Sequence, residues 1–228
     1  MERGLYIAAS GMLTEQVRQD LISHDLANAS TPGYKSERVT TQSFGEMLVR
    51  DSTGASIGGL GLGARIESQT TDLTPGPLRA TGEPLDFAVE GEGFFAVRGA
   101  SGTRYTRDGQ FQVSSKGTLV TATGDEVLGS NGQPVRVGAD GAVAASAIGV
   151  TRLEGARREG DNLFTGTARG AGGRAGIVRG GALEGSAVDP VTTMVDMLGS
   201  LRAFESGQRV ITTIDSTLAK AAGQVGTI

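Results

Sequence analysis

The stretch that decides the fold opens as Asp189-Pro190-Val191-Thr192-Thr193-Met194-Val195-Asp196-Met197-Leu198-Gly199-Ser200-Leu201-Arg202-Ala203-Phe204 and runs on to Val225. A carboxylate followed by proline is a helix start: aspartate caps, and proline at the first helical position lacks only an N–H that has no partner there. Apolar residues then recur at steps of three and four through Val191, Met194, Leu198, Leu201 and Phe204. They resume through Ile211, Ile214, Leu218, Ala221 and Val225. A helix of this length spans about 50 Å at 1.5 Å per residue. Its narrow seam calls for a partner helix more than a flat core.

The stretch able to supply that partner lies at the other end, Gly4 to Ala29. Leu5, Ala9, Met12, Leu13, Val17, Leu21, Ile22 and Leu26 follow one drifting helical stripe, with Glu15, Arg18, Gln19 and Asp20 over the remaining surface. The helix is expected to end near Asn28-Ala29-Ser30, because Thr31 precedes Pro32 and a residue before proline is pushed out of the α region. Pro32-Gly33 then turns the chain.

Between these helices the pattern changes. Residues 31–76 read as an extended connection whose middle, Asp51 to Gly63, is rich in glycine and serine and predicts a flexible loop, followed by a strand at Ala64 to Thr70. From 77 to 165 the chain is β in pattern. Leu85, Phe87 and Val89 alternate, Gly91-Glu92-Gly93 turns, and Phe94-Phe95-Ala96-Val97 returns, which predicts a hairpin. Short strands are expected around Tyr105, Phe111 and Val113, Leu119 and Val120, Val127 and Leu128, and Val135 and Val137, with closing strands at Ile148 to Leu153 and Leu163-Phe164. Turn signals at Asp108-Gly109, Lys116-Gly117, Thr123-Gly124, Asn131-Gly132 and Asp140-Gly141 separate them, the spacing of a small sandwich or barrel. Residues 166–188, dominated at first by glycine and arginine, read as a return connection.

The organisation is therefore helix (1–30), linker (31–76), β domain (77–165), linker (166–188), helix (189–228). The fold class is α+β, with N- and C-terminal helices pairing as a coiled coil and a central all-β domain between extended linkers. The most apolar surfaces are at the two ends, whereas chain ends are ordinarily the least ordered parts of a domain.

Composition narrows the function. Thirty-seven glycines and 4% aromatics in 228 residues fit many turns better than a compact helical enzyme. A net charge of −4 with scattered basic residues does not suggest a nucleic-acid partner. The absence of cysteine excludes disulfides and thiolate metal sites, and no cofactor is expected. No apolar run approaches the eighteen or so residues that span a bilayer, so membrane insertion is not expected. Glu2 interrupts a basic start, and Glu15, Arg18 and Asp20 follow at helical spacing, so a cleaved leader is not expected either.

Catalytic motifs do not hold together. Gly54-Ala55-Ser56-Ile57-Gly58 matches a serine-nucleophile elbow, but the one histidine, His24, lies upstream of the serine, against the hydrolase order. Gly59-Leu60-Gly61-Leu62-Gly63-Ala64 matches a dinucleotide fingerprint without the preceding strand or following helix that such a site needs. Glu90 with Glu92, and Asp125 with Glu126, read as solvated turn acids.

The run Leu26-Ala27-Asn28-Ala29-Ser30-Thr31-Pro32-Gly33-Tyr34-Lys35 closely resembles the signature of bacterial flagellar axial proteins, the rod and hook family. Its motif positions are Ala27, Asn28, Thr31, Pro32, Gly33 and Tyr34. The opening Gly4 to Met12 is similar to the same family's start, although Ser23-His24-Asp25 replaces the more usual Ser-Asn-Asn. Thr81 to Val89, Gly93-Phe94-Phe95, Tyr105 to Phe111, Gly181 to Asp189 and Arg202-Ala203-Phe204-Glu205 also look like the family. The chain looks like a rod protein of the proximal or distal type; its short β domain and glycine-rich 166–181 stretch are departures.

The resemblance implies a non-enzymatic subunit of the basal-body rod, exported through the flagellar export apparatus and assembled with itself and other rod and hook proteins. The expected assembly interface is Leu5, Met12, Leu13, Val17, Leu21 and Leu26 on the first helix, with Val191, Met194, Leu198, Leu201, Phe204, Ile211, Ile214 and Leu218 on the second. The alternative is a secreted β-domain binding module dimerised by its terminal helices.

Overall fold

The computed structural model describes residues 2–43, 45–50, 56–61, 63–100, 102–138, 141–160, 162–169 and 176–225. The chain divides into two compact units. One comprises Met1–Leu26, Glu37–Thr70 and Pro190–Ile228, and the other Ala27–Ser36 and Thr71–Asp189.

The first unit contains both long helices, α1 (Glu2–Ala27) and α2 (Pro190–Val225). Both form where their sequence periodicity predicts, and α1 stops three residues before the Thr31-Pro32 step that cannot continue it. The same unit holds four strands in the segment read as an extended linker: β1 (Glu37–Ser43), β2 (Glu46–Arg50), β3 (Ser56–Gly61) and β4 (Ala64–Thr71). They form two antiparallel pairs, β1 with β4 and β2 with β3. Of the flexible loop expected at 51–63, positions 51–55 and 62 lie outside the described residues, while 56–61 is strand. Backbone pairing with β2, from Glu46↔Gly61 to Arg50↔Ser56, overrides a glycine-rich composition that disfavours strand.

The second unit carries the core. Its strands are β5 (Leu78–Ala80), β6 (Phe87–Glu90), β7 (Phe94–Gly99), β8 (Gly102–Thr106), β9 (Gln112–Val113), β10 (Leu119–Val120), β11 (Glu126–Val127), β12 (Val150–Gly160), β13 (Leu163–Arg169), β14 (Ile177–Gly180) and β15 (Ala182–Glu184). Seven of them form one antiparallel sheet in the order β12-β13-β8-β7-β11-β10-β9. Because Val150 and Thr151 of β12 also pair with Phe95 and Phe94 of β7, the sheet returns on itself as a small barrel. The closed ring is β12-β13-β8-β7, whose strands are thereby kept from pairing with other chains, and β11, β10 and β9 extend from it.

Alternation along β7 sends Phe95 and Val97 into a core with Phe87, Val89, Phe111, Leu119, Val127, Val135, Ile148 and Leu163. Phe94 points the other way and packs with Leu153 and Phe164. The ring of Phe95 meets Phe111 edge-on at 5.2 Å, an arrangement favoured by the ring quadrupoles. Each fully buried side chain of this kind contributes about 1.5–3 kcal/mol relative to exposure.

One expected hairpin does not form. The Gly91 to Gly93 turn is present, with positive φ at both glycines, yet β6 and β7 do not pair. β6 pairs instead with β14, Phe87↔Gly180 to Glu90↔Ile177, and β7 pairs with β8. The reason is that β7 has no edge left for β6: β8 pairs along one side of it and β12 and β11 along the other, so β6, whose Phe87, Ala88 and Val89 are all buried, takes its backbone partner from β14. The stretch 166–181, read as a loop, contains the end of β13 and all of β14; positions 170–175 lie outside the described residues.

Candidate assembly surface

Within the first unit α1 and α2 run antiparallel and meet at several levels. The Ser200 hydroxyl on α2 donates to a carboxylate oxygen of Glu15 on α1 at 2.6 Å. About two turns further along α2, Gly207 lies so close to α1 that an added Cβ would stand 2.8 Å from Met12 Cγ. Near the start of α1, a Cβ on Gly4 would lie 3.3 Å from Ile214 Cδ1. Gly207 is thus a helix glycine kept for approach rather than for bending.

The residues of α2 with reduced exposure are Thr193, Met197, Ser200, Phe204, Gly207, Ile211, Ile214 and Leu218. Their spacing alternates four and three, the 3.5-residue period of a helix that keeps one face against a partner. Phe204, Ile211, Ile214 and Leu218 therefore belong to the face of α2 turned towards α1, and Met12 to the facing side of α1; Leu5, Leu21 and Leu26 of α1 are half-buried.

The other expected interface residues of α2 stand elsewhere. Val191, Met194, Leu198 and Leu201 are 71%, 53%, 55% and 41% exposed, joined by Val195 at 63%. They sit at the i, i+3, i+4, i+7 and i+10 positions of an outer apolar stripe that none of the described residues covers. Sequence reading missed Val195, although it lies at i+4 from Val191.

On α1, Tyr6 and Leu13 are likewise exposed, at 59% and 63%. With Ala9, Val17 and the β4 residue Ile66 they line an open groove of about 540 Å³, with Asp20 and Arg65 among its polar residues. Ser10 holds β4 against the helix by accepting the Ala64 N–H at 3.3 Å. Each helix thus carries two apolar faces, one spent on its intramolecular partner and one open. No helix among the described residues is long and apolar enough to cross a membrane, so open stripes on these helices are not spanning segments.

The signature residues have a different fate. Asn28 accepts two hydrogen bonds from Thr31, one through its carbonyl from the amide at 3.1 Å and one through its side chain from the hydroxyl at 3.1 Å, closing the turn after α1. Ala27 is exposed at the helix end. Pro32 accepts the Asn162 side-chain amide at 2.9 Å. Gly33 is buried with φ +65°, and a Cβ there would stand 2.3 Å from the Arg107 carbonyl carbon. Tyr34 is 1% exposed under the Arg158 guanidinium, 4.3 Å from its ring centroid. These residues fasten the chain inside the second unit. Among the described residues no group of histidines and carboxylates gathers as a metal site.

Comparison with known proteins gives this architecture a family. The description "Flagella basal body rod protein" matches residues 5–35, "Flagellar hook protein FlgE/F/G D1 domain" matches 88–146, and "Flagellar basal body rod FlgEFG protein C-terminal" matches 179–224. The chain is 32% identical to the flagellar basal-body rod protein FlgG of Bacillus subtilis, over 96% of this chain and 97% of that one. It is 30% identical to FlgF of Caulobacter vibrioides over the full length of both, and 31% identical to FlgF of Salmonella typhimurium over 97% of each. With its two terminal helices, its central β region and its signature turn all in place, the chain belongs to the flagellar basal-body rod protein family.

Proposed function

We propose that this chain is a structural subunit that polymerises into the hollow rod of the flagellar basal body and transmits torque from motor to hook. The observation that carries this reading is the second apolar face on each terminal helix: Tyr6 and Leu13 on α1, and Val191, Met194, Val195, Leu198 and Leu201 on α2. Water-exposed stripes of this size on both helices are costly for a solitary molecule and favourable for one surrounded by copies.

In this reading residues 1–30 and 189–228 form the inner tube, with α1 and α2 paired as a short coiled coil and their outer stripes against neighbouring subunits. The β domain, 77–165, adds an outer layer of contacts, and 31–76 and 166–188 connect the two. Contacts between different patches on successive copies do not close, so they generate a helical filament. Export through the flagellar export apparatus and association with other rod and hook proteins complete the proposal. Single amphipathic helices are marginal in water, which is compatible with passage in an unfolded form.

Electron microscopy of basal bodies from a strain lacking this chain tests the proposal. Rods that stop short and carry no hook are expected. Complete, hook-bearing basal bodies would overturn it.

A further inference from the structure

Glu184 gathers chain segments from across the sequence onto one buried carboxylate. Its Oε1 accepts the Lys35 ammonium at 2.5 Å and the Gly76 amide at 2.7 Å, and its Oε2 accepts the Arg107 guanidinium at 2.8 Å. All three charged side chains are 0–1% exposed. Lys35 also donates to the Thr74 carbonyl at 2.5 Å, and Arg107 to the Gly91 carbonyl at 2.8 Å. The main chain repeats the pattern: the Gly33 amide donates to the Glu184 carbonyl at 2.8 Å and the Ala187 amide to the Tyr34 carbonyl at 3.0 Å.

Lys35 follows α1 by eight residues and Glu184 precedes α2 by six. The two connections that lead to the helices are therefore tied to each other and to the barrel strand end at Arg107, all within the second unit. Hydrogen-bonded pairing alone gives this junction little register, since β15 and β5 pair over only three residues, Ala182↔Ala80 to Glu184↔Leu78. A one-residue slip would reverse every side chain.

Stability does not explain the arrangement either. One carboxylate faces two cations, the Arg107 Nε lacks a partner, and burial holds the Lys35 ammonium below its usual range despite Glu184. A well-packed apolar cluster serves stability at least as well as such a buried charge group. What apolar contacts do not supply is a direction and a length.

We infer that Glu184 is a positioning residue, a pin that fixes the register in which the connections from α1 and into α2 leave the second unit. The pin works only when all of its donors arrive together: the carboxylate is satisfied by Lys35, Gly76 and Arg107 at once, and any slip strands a buried charge. This role is independent of the rod assignment, because it concerns the isolated molecule.

Native-state amide exchange on the full-length protein tests it, with Glu184→Gln keeping the shape and removing the charge. The Gly33 and Ala187 amides report on the junction through backbone bonds that the substitution leaves in place. The Leu119 and Leu128 amides, bonded to Val135 and Ala96, report on the barrel. The expected result is a rise of tenfold or more in exchange at Gly33 and Ala187 with less than a twofold change at Leu119 and Leu128. In the same variant the Lys35 ammonium, followed by nitrogen NMR, should titrate still lower than in the wild type, having lost the carboxylate that opposes burial.

Equal acceleration at all four amides, or failure of Glu184→Gln to fold, would make the cluster an element of general stability and overturn the pin. Unchanged exchange at Gly33 and Ala187 would overturn it as well.

Discussion

Ser200 of α2 donates its hydroxyl to the Glu15 carboxylate of α1 at 2.6 Å, and it does so from a position only 2% exposed. A small polar residue thus occupies a helix–helix seam where aliphatic residues were available one position away. Hydrogen bonds to charged groups contribute about 1.5–3 kcal/mol. Ser200→Ala is expected to cost stability of that order, read as a lower thermal midpoint of the helical signal, and Glu15→Gln to soften the effect. A circular-dichroism melt of the two variants and their double mutant measures the coupling; additive losses would deny the contact any energetic role.

Gly207 gives the same seam its closeness. In an isolated helix, replacing glycine by alanine is favourable by about 1 kcal/mol. In this protein the new methyl would meet Met12 Cγ at 2.8 Å, so Gly207→Ala is expected to raise the helicity of an α2 peptide and lower the melting temperature of the whole protein. Adding Met12→Ala should restore part of the loss. A Gly207→Ala protein more stable than wild type would show that the helices are free to move apart.

Gly33→Ala should be among the most damaging single changes. Positive φ at a residue with a Cβ costs about 1–3 kcal/mol, and the methyl would also overlap main-chain atoms of Arg107, which cannot swing away as a side chain tip can. The expected loss is about 2–6 kcal/mol by urea unfolding, overpacking adding about 1–3 kcal/mol to the strain. The substitution is expected to act on the second unit, where Phe95→Ala, with a loss of about 3–5 kcal/mol, provides the scale.

Asp108 supplies a pH dependence. Burial raises its pKa; the nearby Asp86 adds to the effect and the Gln110 amide, which it accepts at 3.0 Å, opposes it. A carboxyl with a higher pKa folded than unfolded binds its proton more tightly in the native state. Its contribution is therefore full below the unfolded value, about 3.9, and is lost as pH rises through the folded value. Asp108→Asn retains the acceptor and removes the charge. It should raise the melting temperature at pH 7, with the gain shrinking towards zero as pH falls below about 3.9. A gain that does not vary with pH would contradict the assignment.

How far the sequence could be read depends on which forces are local. The two helices and most barrel strands were legible because burial imposes periods of about 3.6 and 2 residues on apolar side chains. The seam was legible only in part. Following apolar residues along α2 leads from Val191, Met194, Leu198 and Leu201 to Phe204, Ile211 and Ile214, and in doing so passes from the outer stripe to the inner one. The inner face runs through Thr193, Ser200 and Gly207, which no count of hydrophobic residues selects. The failed β6–β7 hairpin has the same origin: a turn is a local signal, while the pairing of Phe87 with Gly180 follows from β8, β12 and β11 having taken both edges of β7. The contact between Lys35 and Glu184 spans 149 residues and left no trace in either segment's composition.

The central claim is that the outer stripe of α2 is a surface for other copies. Its most direct measurement pairs Leu198→Asp with a solution study of the same protein. Leu198 is 55% exposed and outside the α1 seam, so the variant should keep its helical content and a folding stability within the roughly ±0.5 kcal/mol typical of surface changes. Incorporation into basal-body rods, scored by electron microscopy and by recovery in purified basal bodies, should be abolished. Normal incorporation of Leu198→Asp would contradict the account.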